Sequence, residues 1–247
     1  MTSVAQQYTS EIKRALQYNA LWLPSNTLEL GVIGEVQDGI FVPQDHIRQV
    51  LGVDFQAAPS PRQSNNNLTY QSQSGVRLEV KASGATSAAF QHIGKAQAGI
   101  SVTFGSQGAC VFSVPHYRVQ RAANQIAFKR ELLERIDENW NLNYAVVSEV
   151  ILAESATILV AQDSQAHVEI SAKADVHNPL ADIGNAALGL QVAHTQGHVL
   201  TIVAASGLTP LFRALRVTQG WFSHIAVGSL GELSDDEVEN AFEDLML

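Results

Sequence analysis

Alternating and β-branched apolar residues are most concentrated in one segment near the middle of the chain. Tyr144 to Val176 has the sequence YAVVSEVILAESATILVAQDSQAHVEISAKADV. Its first arm, Tyr144 to Val160, predicts one strand of about 17 residues, because β-branched and other apolar side chains favour strands. Gln162 to Gln165 are polar and favour a turn, and alternation resumes from Ala166 to Ala172. Since strands commonly have about 5–6 residues, the length of the first arm needs an explanation.

Two shorter segments, Val76–Ala82 and Ala96–Phe104, also alternate between apolar and polar residues. Successive side chains of a strand point to opposite faces, so each segment predicts a strand with one apolar face. The apolar positions of interest in these segments are Val76, Leu78, Val80, Ile100, Val102 and Phe104. A further short strand is predicted at Val111–Val114, and the polar stretch Ala57–Asn67 predicts an exposed loop.

Helical spacing of apolar residues marks three segments before the long strand. Ser3–Tyr18 has an apolar residue at every fourth position, and Gln120–Glu138 has an apolar stripe opposite a charged face. A short helix is predicted at Asp45–Leu51, followed by Gly52, because glycine suits the left-handed conformation that ends many helices.

The C-terminal third contains shorter predicted elements. Leu180–Ala187 is predicted as a short helix, Leu188–His194 and Val199–Ala204 as the strands of a hairpin, and Leu211–Thr218 as a strand or short helix. The predicted elements together indicate the α+β class, with a twisted, mostly antiparallel central sheet and flanking helices.

The last residues predict a separate helix. Ser234-Asp-Asp-Glu237 has the capping-box pattern, in which the serine and glutamate side chains accept hydrogen bonds from free N–H groups at the helix start. Val238, Phe242 and Leu245 follow at helical spacing. Because a helix of about three turns is marginal alone, we expect it to dock on another surface. We therefore divide the chain into a body, residues 1–230, and an acidic C-terminal helix, residues 231–247.

The charge of the chain is unevenly distributed. The chain has a net charge of −9, and from Glu232 onwards it has seven acidic residues and no Lys or Arg. The remainder is nearly neutral, with 17 acidic and 15 basic residues. Without a cluster of Lys and Arg, binding to nucleic acid is not expected. Charged residues make up only 16% of the chain, against roughly 25% in typical soluble domains.

Motifs that would indicate catalysis are missing from the sequence. It contains no G-x-S-x-G elbow and no phosphate-binding P-loop. Cys110 is the only cysteine, so neither an intramolecular disulfide nor a cluster of thiolate metal ligands can form, and its GACVF context predicts a buried strand residue. Glu149 and Glu154 are five residues apart and would face opposite sides of a regular strand. We therefore expect no enzymatic activity, no metal and no cofactor.

The N-terminal sequence lacks the apolar core of a signal peptide, and no run reaches the 18 or more apolar residues of a membrane-spanning helix. We therefore expect a cytoplasmic protein.

Three features in the same order resemble the pore-forming domain of gasdermins. A charged amphipathic helix, Gln120–Glu138, leads directly into the long strand. The start of that strand, Tyr144-Ala-Val-Val-Ser-Glu-Val150, is similar to the Y-V-V-T-E-V strand of that family. Ala186-Ala-Leu-Gly-Leu-Gln-Val192 then follows a loop, as a similar apolar strand does in gasdermins. The resemblance covers residues 1–220, and the chain length is similar to that of the compact bacterial and fungal members.

The resemblance implies a protein without enzymatic activity that oligomerises in membranes and extends two β-hairpins per subunit into a large barrel. Cell lysis in immune or anti-phage defence is the implied outcome. The implied hairpins come from Val76–Phe104 and Tyr144–Val176. Their candidate membrane residues are Val76, Leu78, Val80, Ile100, Val102, Phe104, Val146, Val150, Ile158 and Val160. The candidate lipid contacts are Lys13, Arg14, Lys81 and Lys95.

The resemblance also implies a switch. Bacterial gasdermins commonly end in a short inhibitory peptide that a protease releases, and Val238, Phe242 and Leu245 are the candidate contacts of such a segment. The implied partners are membrane lipids, further copies of the chain and an activating protease, and the protein would move from cytoplasm to membrane. The alternative is a soluble binding or scaffold module whose acidic helix docks a partner, because a sheet with one buried face produces the same alternation.

Overall fold

Two antiparallel sheets and their flanking helices make up the part of the chain that the structure, a computed structural model, describes. The described residues are 2–60, 67–80, 99–137, 139–172, 181–185, 190–204, 207–221 and 234–245. The helices are α1 (Val4–Leu16), α2 (Ile47–Val50), α3 (Gln125–Arg135) and α4 (Asp235–Asn240). The strands are β1 (Asn19–Ala20), β2 (Val32–Gln37), β3 (Ile40–His46), β4 (Ala57–Pro59), β5 (Leu68–Gln71), β6 (Val76–Val80), β7 (Ile100–Phe104), β8 (Cys110–Ala122), β9 (Tyr144–Ala161), β10 (His167–Ala172), β11 (Ala181–Asn185), β12 (Leu190–Gln196), β13 (Val199–Ala204), β14 (Leu211–Val217) and β15 (Phe242–Asp244). The predicted α+β class with a mostly antiparallel sheet is confirmed.

The larger sheet has ten strands and is built around β9. The order β1-β14-β9-β2-β3 forms its main path, β8 and β13 also pair with β9, β4 and β5 pair with β8, and β15 pairs with β14. The predicted long strand is confirmed, at 18 residues. Its length has a simple cause: β14 and β2 pair with its first part, and β8 and β13 pair with its second part.

The smaller sheet has five strands in the order β11-β12-β10-β7-β6. β6 and β7 are confirmed as a strand pair, with Leu78 opposite Val102. The prediction that β9 and β10 pair with each other is wrong. β10 pairs with β7 and β12, so β9 and β10 lie in different sheets. The predicted hairpin of β12 and β13 is wrong for the same reason, because β13 pairs with β9. The polar turns are present, but the chain changes sheets there.

Strand β8 differs most from its predicted form. It continues beyond the predicted Val111–Val114 to Ala122, through Pro115, and its pairing with β9 shifts register between Ser113 and His116. A bulge at this position accommodates proline, which has no N–H to donate to a ladder. Consequently the predicted helix does not begin at Gln120: α3 begins after Asn124, whose side chain accepts a 3.0 Å hydrogen bond from the Ala127 N–H.

Three other predicted elements take a different form. Ala57–Pro59, predicted as loop, is β4 and pairs with the end of β8, while residues 61–66 lie outside the described part. Ala181–Asn185, predicted as helix, is β11. The helix predicted from Ser234 has the capping box but ends at Asn240, and Phe242–Asp244 is β15. Helix α1 is confirmed, with Ser3 as its N-cap.

Candidate functional site

The five-stranded sheet packs one apolar face on the ten-stranded sheet. Leu78, Ile100, Val102 and Phe104 are all at most 2% exposed, and Val76 is half-buried beside them. They share a cluster with residues of β8, β9 and β13, which include Val111, Leu159 and Val199. Val80 stands opposite Ile100 in the ladder. The six hairpin candidates from β6 and β7 thus lie in one paired unit of the fold.

On β6, β7 and β10, the opposite face of this sheet is polar. Arg77 and Glu79 on β6 are exposed. The Ser101 and Thr103 hydroxyl groups lie 3.3 and 3.0 Å from the two ring nitrogens of His167 on β10, which is within hydrogen-bond distance. Within the described side chains, β6, β7 and β10 therefore have one apolar and one polar face.

Within the described residues, the chain passes between the two sheets four times, and the crossovers lie side by side. The Phe104 N–H donates to the Ala166 carbonyl at 2.8 Å, and the Gln107 amide donates to the Gln162 carbonyl at 2.9 Å. The Gln162 N–H donates to the His198 carbonyl at 2.9 Å. A carboxylate oxygen of Asp163 is hydrogen-bonded to the His198 ring at 2.7 Å and accepts from the His198 N–H at 3.0 Å. These two hydrogen bonds hold the pKa of Asp163 below its usual value. The crossovers β7–β8, β9–β10 and β12–β13 are thus hydrogen-bonded to one another.

The four hairpin candidates on β9 do not share one face of the strand. A register shift between β9 and β14 leaves Ser148 as an extra residue, so Val146 and Val150 belong to different apolar clusters. Ile158 and Val160 lie together in a third cluster, next to β8 and β13. The bulge thus separates residues that strict alternation would place on one face of the strand.

The described C-terminal segment, residues 234–245, docks on α3 and β14 through its apolar side chains. Val238 is fully buried, Phe242 is 9% exposed and Leu245 is 1% exposed. Val238 and Phe242 join the cluster that contains Phe128 and Leu132 of α3, and Leu245 packs in another cluster under the ten-stranded sheet. Full burial of a side chain of this kind stabilises by about 1.5–3 kcal/mol. Three apolar side chains thus anchor the segment on the body.

Main-chain hydrogen bonds extend this contact. β15 adds antiparallel to β14, with Val217 opposite Phe242, and the Leu245 N–H donates to the Ala214 carbonyl at 2.8 Å. The Leu245 carbonyl accepts two bonds of 3.3 Å, from Lys13 Nζ and Asn19 Nδ2. The segment thus covers part of the edge of β14, which would otherwise expose unpaired backbone groups.

The acidic side chains of the segment lie against basic residues of the body. Arg130 Nη2 lies 2.6 Å from Asp235 Oδ1, and Lys129 Nζ donates to Glu239. Burial lowers the pKa of Lys13, while the nearby Asp244 raises it and Arg213 lowers it further.

Beside this contact lies a polar cleft of about 290 Å³ centred on Glu149. Glu149 is 7% exposed; it accepts a 2.7 Å hydrogen bond from the Tyr18 hydroxyl and forms a 2.7 Å ion pair with Arg121 Nη2. Arg213 Nε lies 3.9 Å from the same carboxylate, and its guanidinium is over the Tyr18 ring. Burial, and then the hydrogen bond to Glu149, raises the pKa of Tyr18 to about 12. Asp244 lines the same cleft.

Among the predicted lipid contacts, Lys13 lies at the docked segment and Arg14 is exposed near the end of α1. Lys81 and Lys95 lie outside the described residues. Sequence analysis did not single out Arg213, and it did not predict the contacts that Lys129, Arg130 and Glu149 make. The sequence gives no signal for these contacts, because the partners are far apart in the chain.

Helices long and apolar enough to span a membrane do not occur in the described ranges. The described residues also contain no group of three or more His, Cys, Asp or Glu side chains placed to hold a metal ion.

No family model matches the chain, and no curated protein sequence is significantly similar to it. Among solved structures, the fold is similar to that of a bacterial gasdermin from Bradyrhizobium tropiciagri. The TM-score is 0.37 and the sequence identity is 16%, over 95% of this chain and 89% of that chain. A TM-score of this size does not assign the chain to that family.

Proposed function

We propose that the chain is a gasdermin-like pore-forming protein whose C-terminal segment restrains it in the cytoplasm. The observation that carries the proposal is the five-stranded sheet, in which β6, β7 and β10 present one apolar and one polar face. These strands belong to the two regions that the sequence resemblance implies as membrane hairpins. A barrel strand needs this alternation, because one face contacts lipid and the other lines the water-filled lumen.

Strand lengths are compatible with this function. β6 and β7 have five residues each, and 19 residues, 81–99, connect them in the sequence. A strand that crosses a bilayer needs about 9–11 residues, so each would take up about five residues of the connection. Because lipid offers no hydrogen bonds, such strands must close into a barrel with other copies of the chain. Lysis of the host cell in defence is the outcome that the resemblance implies.

The C-terminal segment supplies the restraint in this proposal. It covers the edge of β14 and anchors Val238, Phe242 and Leu245 in the body. Its removal would expose a strand edge and apolar surface, both of which favour association. An activating protease acting between 222 and 233 is one route to removal.

The test is dye release from vesicles by a chain with a specific protease site inserted between Leu230 and Gly231. Cleavage after folding is expected to release dye and to produce ring-shaped particles on vesicles in electron micrographs. The uncut chain and a protease-resistant version of the insert are the matched controls. If the cleaved chain leaves neutral and anionic vesicles intact and forms no rings, the pore-forming proposal is wrong. The alternative, a module that docks a soluble partner, predicts that result.

A further inference from the structure

Helix α1 contacts both crossovers that connect the β6–β7 pair to the ten-stranded sheet. The chain enters this pair through residues 72–75 and leaves it through residues 105–109. The Glu11 carboxylate accepts a 2.8 Å hydrogen bond from Ser72 Oγ in the first crossover, and another of 2.8 Å from the Tyr70 hydroxyl on β5. The helix is thus hydrogen-bonded to the point at which the chain leaves β5.

The second crossover lies directly against the same helix. A methyl group at Gly108 would lie 2.8 Å from Gln7 Cβ, well inside the roughly 3.5–4.0 Å at which two carbon atoms pack best. The φ angle of Gly108 is 79°, which is in the left-handed region that favours glycine. The close approach of α1 and the crossover backbone at this position therefore depends on glycine.

The two crossovers are also bound to each other. The Cys110 N–H, at the start of β8, donates to Ser72 Oγ at 2.8 Å, and the Ser72 N–H donates to the Cys110 carbonyl at 3.0 Å. The Gly105 N–H donates to the Gly75 carbonyl. Because Ser72 Oγ also donates to Glu11, this hydroxyl joins α1 to both crossovers. Rotation of the β6–β7 pair about its crossovers would therefore disturb the contacts with α1.

The attachment of α1 to the body combines favourable and unfavourable contacts. Tyr8 and Ile12 are fully buried in the cluster that contains Phe112 and Val114 of β8. The Tyr8 hydroxyl, however, has no hydrogen-bond partner among the described residues, and an unpaired buried hydroxyl disfavours the docked helix because it has lost its bonds to water. A polar cleft of about 280 Å³ lies between α1 and the two crossovers, so water can replace their hydrogen bonds. The helix is therefore held less tightly than its buried apolar area implies, which suits a contact that has to open.

We propose that α1 is a clasp on the β6–β7 pair, formed by Gln7 and Glu11 against residues 72–75 and 105–109, and that it opens before the two strands leave the ten-stranded sheet. The role of the clasp in membrane insertion rests on the proposed function, whereas the local opening of β6 and β7 does not. The clasp is distinct from the restraint by the C-terminal segment, which adds to β14 and docks on α3. Removal of the segment would then leave the opening of the clasp as the step that limits insertion.

The test is hydrogen exchange of β6, β7 and their crossovers in the full, uncut chain, because exchange reports the population of locally opened states. Glu11→Gln weakens two hydrogen bonds to a charged acceptor, so exchange at residues 72–80 and 100–109 should accelerate about tenfold or more. Tyr8→Phe removes the unpaired hydroxyl, so exchange at the same residues should slow about fivefold or more. Opposite changes at the same residues are expected only if α1 controls their opening.

Glu35→Gln is the matched control for Glu11→Gln. The Glu35 carboxylate, on β2, also accepts a short hydrogen bond, of 2.7 Å from Asn141 Nδ2, but it takes no part in the clasp. This variant should leave exchange in β6 and β7 unchanged. The clasp is wrong if Glu11→Gln also leaves that exchange unchanged, or if it accelerates exchange equally in β9 and β14, since an equal change would be a general loss of stability.

Dye release from vesicles, recorded with the cleaved chain, separates the clasp from the proposed function. Cleaved Glu11→Gln should release dye about fivefold faster or more than the cleaved native chain, and cleaved Tyr8→Phe should release it more slowly. Equal rates for all three chains would overturn the clasp as a restraint on insertion and leave pore formation intact. If no cleaved chain releases dye while exchange responds as expected, the local clasp stands and pore formation is wrong.

Discussion

The five-stranded sheet and the C-terminal segment are both attached to the ten-stranded sheet, but through different interactions. The sheet is held by an apolar cluster that includes Val102 and Phe104, and by crossovers that are hydrogen-bonded to one another. The segment is held by three apolar anchors, a short ladder on β14 and ion pairs such as Arg130–Asp235.

Because of this difference, we expect the five-stranded sheet and the C-terminal segment to detach from the ten-stranded sheet under different conditions. Burial of apolar surface is not screened by salt, whereas exposed and half-exposed ion pairs are. Salt should therefore loosen the segment before the sheet. In the proposed function the order matters, because the restraint must leave before strands are inserted into a membrane.

The largest expected effect comes from Phe104→Ala. Phe104 is fully buried where the five-stranded sheet meets β8 and β9. Loss of a buried phenylalanine leaves a cavity and costs about 3–5 kcal/mol in the free energy of unfolding. Denaturant unfolding at low and high salt measures it, and the loss should be the same at both. Arg77→Ala on the exposed face of β6 is the control, with an effect within about 0.5 kcal/mol. A strongly salt-dependent loss for Phe104→Ala would contradict apolar attachment.

A smaller effect is expected from Phe242→Ala. The Phe242 ring packs in the cluster on α3, with Lys129 Nζ 5.8 Å from its centre. The segment can detach instead of enclosing a cavity, so the cost is limited to about 2–3 kcal/mol of docking free energy. Hydrogen exchange should accelerate in residues 234–245 and stay unchanged in β6 and β7. Equal acceleration in both regions would show that the two attachments are coupled.

Elements with a local sequence signal could be predicted, whereas the choice of sheet could not. The four-residue apolar repeat identified α1, the β-branched run identified β9, and Ser234 with Glu237 identified the start of α4. The turns after β9 and β12 were also recognised. A turn, however, does not determine which strand pairs with the next one, because pairing depends on residues distant in the chain.

In the candidate site, too, local features could be predicted from the sequence and contacts between distant residues could not. Burial of Val238 and Leu245 followed from their spacing, since an amphipathic segment must cover its apolar side chains. The ion pairs of Lys129 and Arg130 did not, because their partners are more than 100 residues away. Ser148 gave no sign of the bulge that separates Val146 from Val150.

The cleft beside the segment gives a pH-dependent prediction. Tyr18 has a folded pKa of about 12, above its unfolded value of 10.0. A raised pKa means that its contribution to stability is fully present below pH 10 and is lost as pH rises through 12. Tyr18→Phe should remove this alkaline loss of the free energy of unfolding. The loss is about 1 kcal/mol, because Tyr18 is partly exposed and solvent weakens the effect.

Tyr70→Phe is the matched control for Tyr18→Phe. Tyr70 also has a pKa of about 12, raised by burial and by its hydrogen bond to Glu11, but it lies outside the cleft. Both variants should flatten the alkaline stability profile, and only Tyr18→Phe should accelerate hydrogen exchange in residues 234–245. Acceleration by both would mean that the cleft has no special connection with the segment.

The smallest effect is expected at the crossovers, from Asp163→Asn. The hydrogen bonds from the His198 side chain and N–H lower the folded pKa of Asp163, so its contribution is present above the unfolded pKa and is lost as pH falls through the folded one. Because the pair is exposed, the melting temperature at pH 7 should fall by at most about 2 °C, and the difference from the native chain should vanish in strong acid. Asp54→Asn removes a similar exposed pair, with Arg48 of α2, away from the crossovers. Hydrogen exchange at residues 162–168 should increase only for Asp163→Asn, because the Asp163–His198 pair joins two crossovers and the Arg48–Asp54 pair joins none. An equal increase for both variants would mean that the Asp163–His198 pair does not help to hold the five-stranded sheet.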